Sequence, residues 1–264
     1  MCITVNHAKL SKTKILSVPV GNGNHFIAYS NSVKNESGEP KAMVFAVPGK
    51  TNQSLFYDTT KYKDFLNEII KKSRLDEDYY GISYRGLSKS LSFDSFTLGN
   101  YTVGLADNFD GILNFINSQP EEKKPKIKEE LSEFFKNHYY NMSFVVCLFD
   151  SNKTIDAQPI AFEYKPFFSD ELYFPTMDSH NGLAPVLNSA VRVDHTFIYE
   201  HTGKPDRELN QEFVTLKADV PSFLQNRKFR TITAKGTATN GDVFIDLNNL
   251  QEIPFSEDAY LERG

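Results

Sequence analysis

The residue with the clearest potential for chemistry is Cys2, which stands directly behind Met1 and leads into a β-type segment. Removal of Met1 would leave Cys2 with a thiol nucleophile and a free α-amine on the same residue. An α-amine has a reference pKa of about 7.7–8.0, so near neutral pH it can act as the base for its own thiol. Cys2 is therefore a candidate catalytic residue.

A site built on Cys2 also needs donors for an oxyanion and a group that holds the amine. Arg85, Asn31 and Asn108 are available for these roles, although none stands at a spacing that identifies it. The chain is similar to N-terminal-nucleophile hydrolases in one respect, the placement of a candidate nucleophile on a first strand. The alternative is that Cys2 is an ordinary small residue at the start of a strand.

A second group of candidate residues combines carboxylates and imidazoles. Asp178 and His180 lie in one stretch, and Asp194 and His195 follow roughly fifteen residues later. Carboxylate oxygens and neutral imidazole nitrogens are common ligands of zinc, manganese and iron, and two such pairs could meet across a hairpin. The alternative is structural, since Asp178 also suits a turn and the Asp194–His195 pair can bond the backbone at a strand end.

Composition excludes several classes of protein. The net charge is −5, from 34 acidic and 29 basic side chains, and no block of Lys and Arg would neutralise a row of phosphates, so nucleic acid is not an expected partner. The two cysteines, Cys2 and Cys147, form no C-x-x-C pair, which excludes a disulfide framework and a cysteine zinc site. No apolar run approaches the roughly 18 residues of a membrane span, and no secretory signal is visible. We therefore expect a reduced, cytoplasmic compartment.

The elements that would position these residues follow from apolar spacing. Short apolar runs separated by Gly, Asn and Pro predict an antiparallel meander in the opening third, with a turn at 21–24. Residues at helical spacing predict helices over about 60–73 and 107–117, with Asp107 as N-cap, and a third that ends near Tyr139. Segment 76–96 is predicted to be irregular, and Met142–Phe149 is predicted to be a buried strand that carries Cys147. Further strands are predicted over 160–168, 191–200, 212–217, 229–234 and 243–247.

These elements predict an α+β fold with a predominantly antiparallel β-sheet and about three helices in the middle of the chain. The 264 residues are expected to form a single compact domain over 1–264, with a possible division into two lobes near residue 150.

The stretch from about Ala42 to Thr176 resembles a group of uncharacterised bacterial proteins, domain of unknown function 2330. The matching residues are Met43–Gly49, Leu55-Phe56, Tyr101–Leu105 leading into Asp107, Pro159–Phe162 and Leu172–Thr176. Members of that group look like exported proteins with cysteines near a processed N-terminus, whereas this chain shows Cys2 behind Met1 and no export signal. The resemblance implies a shared fold and carries no known activity.

Three functional hypotheses remain open. The leading one is a soluble binding or assembly protein that works through its surface, with no cofactor and with a protein partner or self-association. The second is a cysteine N-terminal-nucleophile hydrolase that acts on amide bonds through Cys2. The third is a metal-dependent hydrolase that uses Asp178, His180, Asp194 and His195.

Overall fold

Two large β-sheets and three α-helices dominate the computed structural model, which describes residues 3–35, 38–73, 93–99, 101–149, 155–156, 158–200, 214–217 and 219–249. The strands are, in chain order, β1 (Ile3–Val5), β2 (Ala8–Pro19), β3 (His25–Asn35), β4 (Lys41–Val47), β5 (Gly49–Lys50), β6 (Phe56–Tyr57), β7 (Phe93–Leu98), β8 (Tyr101–Ala106), β9 (Ser143–Phe149), β10 (Ile155–Asp156), β11 (Ile160–Pro166), β12 (Glu171–Phe174), β13 (Ala190–Glu200), β14 (Phe229–Thr239) and β15 (Val243–Asp246). The α-helices are α1 (Phe65–Lys72), α2 (Phe109–Asn117) and α3 (Glu129–His138), and short 3-10 turns cover Gln53–Leu55, Thr60–Tyr62, Glu121–Lys123, Ser222–Leu224 and Leu247–Asn249.

The first sheet has five antiparallel strands in the order β1-β4-β9-β8-β7. Every residue of β4 and β9 is buried. Continuous apolar runs such as Ser143–Phe149 are what a strand covered on both faces requires. The prediction of a buried strand that carries Cys147 is confirmed.

The second sheet follows the order β14-β13-β2-β3-β11-β5, with β10 and β6 as additional short strands. Its named strands pair antiparallel except β13 and β2, which run parallel. The β2–β3 hairpin turns at the Gly-Asn-Gly-Asn segment, where Gly23 adopts a positive φ of 80° that suits glycine. A separate two-stranded sheet joins β12 to β15.

The elements stack in four layers. Side chains alternate along each strand, so Phe45 of β4 faces the core between the two sheets, while Val44 and Ala46 face α2 and α3 on the outer side. Phe65 of α1 packs on the outer face of the second sheet. The predicted α+β fold with a mostly antiparallel sheet is confirmed.

The core between the sheets contains residues from both sides of the chain midpoint, among them Tyr29, Phe45, Phe149 and Tyr164. The single domain over 1–264 and its possible division near residue 150 stay predictions.

Strand pairing differs from the predicted meander. β1 pairs with β4, whereas β2 pairs with β3 in the other sheet, so the opening strands are divided between two sheets. The segment predicted to be irregular contains β7 in its last part, while residues 74–92 lie outside the described residues. The strand predicted over 212–217 also falls partly outside them, and Val214 forms only an isolated bridge to Arg227.

The three predicted helices are present with shifted ends. Asn108, not Asp107, caps α2, because its side-chain oxygen accepts a hydrogen bond from the backbone N–H of Gly111 at 3.0 Å. Oδ1 of Asp107 instead accepts a hydrogen bond from Lys50 Nζ at 2.6 Å. No helix in the described ranges combines the length and the hydrophobicity needed to cross a bilayer.

Candidate functional site

The amino-terminal strand β1 is held between β4 and the extended segment 178–181. The backbone N–H of Thr4 donates to the carbonyl of Ser179 at 2.8 Å, and that of Ala8 donates to the carbonyl of His180 at 2.9 Å. Cys2 lies outside the described residues, and its chain neighbour Ile3 forms a parallel bridge with Ser179. The strand that follows Cys2 therefore lies against the segment that carries Asp178 and His180.

Asp178 and His180 form a close pair in a largely buried position. Oδ1 of Asp178 lies 3.1 Å from Nε2 of His180, which is within the range of an ion pair, although the contact lacks hydrogen-bond geometry. Burial lowers the pKa of His180 to about 3, with a smaller contribution from His7, and burial raises the pKa of the Asp178 carboxyl. His180 is therefore a neutral imidazole at physiological pH.

His195 is a second buried imidazole, on another strand. It sits on β13, paired with Ala234 of β14 and with Thr13 of β2, and its side chain is buried. Burial lowers its pKa well below the usual value, with a smaller contribution from His180. His195 is therefore also neutral at physiological pH.

Asp194 differs from these buried residues. Consecutive residues of a strand point to opposite faces, so Asp194 faces outward while its neighbour His195 faces inward. The Asp194 carboxylate is 42% exposed and lies 3.9 Å from Lys235 Nζ on β14. Within the described part of the chain, no group of three or more His, Cys, Asp and Glu residues is placed to hold a metal ion.

Two of the three residues predicted as partners of Cys2 make other contacts in the structure. Asn108 caps α2. Asn31 is buried on β3, where its Nδ2 lies 3.4 Å from the Tyr29 hydroxyl and 3.6 Å from the Met43 sulfur. Arg85 lies outside the described residues.

Two buried polar side chains, Asn240 and Asp242, hold this region together. Oδ1 of Asn240 accepts a hydrogen bond from the backbone N–H of Asp178 at 2.8 Å. Nδ2 of Asn240 donates a hydrogen bond to the Asp178 carbonyl at 3.0 Å. Asp242 accepts four hydrogen bonds at 2.7–3.1 Å, from the Tyr139 and Tyr173 hydroxyls and from the backbone N–H groups of Thr176 and Met177. Only their position in the Asn-Gly-Asp turn signalled them in the sequence.

The chain resembles solved structures of baculovirus P35 along almost its whole length. One P35 structure aligns with 93% of this chain and 99% of its own, at a TM-score of 0.53 and 13% sequence identity. A mutated P35 after caspase cleavage aligns with 89% of this chain and 99% of its own, at a TM-score of 0.51 and 12% identity. A second structure of a mutated, caspase-cleaved P35 gives a TM-score of 0.50 at 13% identity, over 90% of this chain and 98% of that one. At these identities the likeness shows a shared fold.

No family model and no curated protein matches the chain. The resemblance to domain of unknown function 2330 therefore stays a hypothesis.

Proposed function

We propose that this chain binds a protease of the caspase class and is cut by it. The observation that carries the proposal is the likeness to P35 over 93% of this chain, which extends to the form of that protein found after caspase cleavage. This proposal gives a partner class to the surface-binding hypothesis. Under this proposal the segment that carries His180 has a structural role, because its backbone holds β1 in place.

The first experiment incubates the purified chain with a panel of purified caspases and follows intact mass. We expect one cut after an aspartate, and a complex between enzyme and cut chain that survives size exclusion. Replacing the aspartate before the mapped cut with alanine should abolish cleavage, and the wild-type chain is the matched control. An uncut chain that elutes apart from every caspase in the panel would remove the proposal.

A second candidate function is the cysteine hydrolase with Cys2 as nucleophile. The pairing of Ile3 with Ser179 favours it, because the strand that directly follows Cys2 in the chain is thereby held in place against segment 178–181. In this mechanism the free α-amine of Cys2, with a reference pKa of about 7.7–8.0, accepts the proton of the thiol, because the lowered pKa of His180 makes that imidazole a weak base.

This candidate is tested by intact mass before and after a short pulse of iodoacetamide at pH 7. Loss of Met1 together with rapid alkylation that disappears in Cys2→Ala supports it. Cys147 is a matched control, because its thiol is fully buried on β9 and Cys147→Ala should leave the labelling unchanged. A retained methionine and an unreactive Cys2 would exclude this mechanism.

A further inference from the structure

The sequence contains three Asn-Gly pairs, and the structure places them in three different surroundings. They are Asn22-Gly23, Asn181-Gly182 and Asn240-Gly241. Asparagine is a thermolabile residue, and a following glycine, which has no Cβ, leaves its own backbone nitrogen open to approach by the asparagine side chain. The three sites therefore share one chemistry, and the fold decides which of them can react.

Asn22 lies at the exposed tip of the hairpin between β2 and β3. Gly21, Asn22 and Gly23 are all exposed, and a Cβ built on either glycine would meet no atom of the described residues within 4 Å. The backbone N–H of Gly23 donates to the Val20 carbonyl at 3.2 Å, which is at the long end of the normal range. The backbone at this tip can therefore rotate after the loss of one long hydrogen bond, and the glycines pack on no neighbour that would resist it.

The other two sites are held more firmly. The peptide between Asn181 and Gly182 packs on the amino-terminal region, where a Cβ at Gly182 would lie 2.9 Å from the backbone nitrogen of Asn6. Asn240 is 2% exposed, and its side chain makes two hydrogen bonds with the backbone of Asp178, at 2.8 and 3.0 Å. A buried, hydrogen-bonded asparagine reacts only after local opening of the structure, which is rare in a packed region.

The Asn22 side chain lies against a buried carboxylate. Its Nδ2 donates to Oε2 of Glu163 at 3.1 Å, and Nδ2 of Asn24 donates to the same oxygen at 2.9 Å. Glu163 is only 6% exposed, and its other oxygen accepts a hydrogen bond from the Tyr57 hydroxyl. These three donors favour the ionised form of Glu163. Conversion of the Asn22 amide into a carboxylate would therefore place a second negative charge beside the first.

We propose that Asn22 deamidates spontaneously in the folded protein, and that the carboxylate formed there repels Glu163 and loosens the turn between β2 and β3. The backbone nitrogen of Gly23 attacks Cγ of Asn22, the new N–Cγ bond closes a succinimide ring, and the Cγ–Nδ2 bond breaks. Nδ2 leaves as ammonia with the proton that the Gly23 nitrogen gives up. Water then opens the ring at either of its carbonyl carbons and yields aspartate or isoaspartate. The inference is independent of the proposed protease partner.

The aspartate product keeps one contact of Asn22 and reverses the other. Oδ1 of Asn22 accepts a hydrogen bond from the backbone N–H of Asn24 at 3.0 Å, and a carboxylate oxygen can accept the same bond. Nδ2, in contrast, is replaced by a carboxylate oxygen that faces Glu163, and two like charges at hydrogen-bond distance repel each other. The isoaspartate product also lengthens the backbone of the turn by an extra carbon atom. Both products therefore weaken the link between the hairpin turn and β11.

The first test follows deamidation at each asparagine of the folded wild-type chain, which is incubated at mildly alkaline pH, digested and mapped by mass spectrometry. Asn22 should react about tenfold faster than Asn240, or more, because Asn240 reacts only through local opening. Asn24 is the internal control, since it bonds the same carboxylate but is followed by His25 instead of glycine, and it should stay intact.

The same incubation in concentrated urea shows what the fold contributes. Once the chain is unfolded, the three Asn-Gly pairs should react at similar rates, because the surroundings that separate them are gone. Asn22 reacting no faster than Asn240 in the folded chain, while the two react equally in urea, overturns the assignment of the site.

Variants test the effect of the new charge. Asn22→Asp carries the charge of the product, and Asn22→Ser is the matched control, because it removes the donor to Glu163 without adding a charge. Asn22→Asp should melt about 2–4 °C below Asn22→Ser. In a Glu163→Gln background the two should melt together, because the opposing carboxylate is gone. Equal melting temperatures in the wild-type background, or a difference that persists with Glu163→Gln, would overturn the proposed repulsion.

Discussion

At the scale of single residues, the region is organised by buried polar groups whose partners come from distant parts of the sequence. Asp242 joins the C-terminal end of α3, strand β12 and residues Thr176 and Met177 through one carboxylate. Removal of that carboxylate would take away the acceptor of all four hydrogen bonds.

Asp242→Ala is therefore expected to destabilise the fold by about 3 kcal/mol or more, because unsatisfied buried groups cost about 1–3 kcal/mol each. Tyr139→Phe and Tyr173→Phe each remove a single donor and should cost about 1–3 kcal/mol, since the acceptor is charged. Urea denaturation measures all three variants. A loss below about 1 kcal/mol for Asp242→Ala would show that the network does not hold the region together.

The buried imidazoles predict a dependence of stability on pH. A histidine in the unfolded chain takes up a proton near pH 6.5, whereas the pKa of His180 in the folded protein is lowered to about 3 by burial, and that of His195 is also lowered. Between these values the unfolded chain binds more protons, so the free energy of unfolding falls as the pH decreases below about 6.5, by up to about 1.4 kcal/mol per pH unit for each histidine.

The measurement is urea denaturation at pH 7.5, 6.5 and 5.5, for the wild type and for His180→Asn. The readout is the change of stability with pH, which stays meaningful even if the variant is less stable throughout. The variant should show a shallower decline than the wild type. Parallel declines would mean that His180 is not buried in its neutral form.

At the scale of elements, the number and type of the main helices were predictable, but their partners were not. Apolar residues at helical spacing located α2. Asp107 and Asn108 are both residue types that cap helices, so the sequence does not show which of them has the backbone conformation of the N-cap. The separation of β1 from β2 into different sheets depends on pairing with β4 and β13, which lie far away in sequence.

The candidate site was predictable in the same partial way. The pairing of Asp178 with His180 follows from their closeness in the chain. The burial of His195 depends on the register of β13 against β2, and the separation of Asp194 follows from strand alternation once β13 is placed. The sequence does not identify Asn240 and Asp242 as structural residues, because Asn and Asp are common in turns and the burial of these two side chains comes from tertiary packing.

The contact between α2 and β8 gives a prediction at this scale. Gly104 of β8 lies under the Phe115 ring of α2, and a Cβ there would come within 2.2 Å of Phe115 Cδ1. Gly104→Ala should therefore displace α2 and lower stability by about 1–3 kcal/mol. Gly21→Ala is the matched control, because a Cβ at Gly21 meets no atom within 4 Å. Equal melting temperatures for the two variants would contradict the tight contact.

At the scale of the whole molecule, the two large sheets share one core although their strands alternate along the chain. Tyr29 of the second sheet and Phe45 of the first lie edge to face, with ring centroids 4.8 Å apart. Such a contact couples the stability of the two sheets, because unfolding of one sheet would expose buried apolar side chains of the other to water. The shared core favours a single cooperative unit over two lobes that divide near residue 150.

Cooperative unfolding tests this interpretation directly. Phe45→Ala should lower the free energy of unfolding by about 3–5 kcal/mol and shift the transitions of both sheets together. Far-ultraviolet circular dichroism follows the strands, and fluorescence follows the 13 tyrosines, which have no tryptophan to obscure them. Val186→Ala, at an exposed position, should change stability by less than about 0.5 kcal/mol. Two separate transitions, with only one shifted by Phe45→Ala, would instead assign the sheets to independently folding lobes.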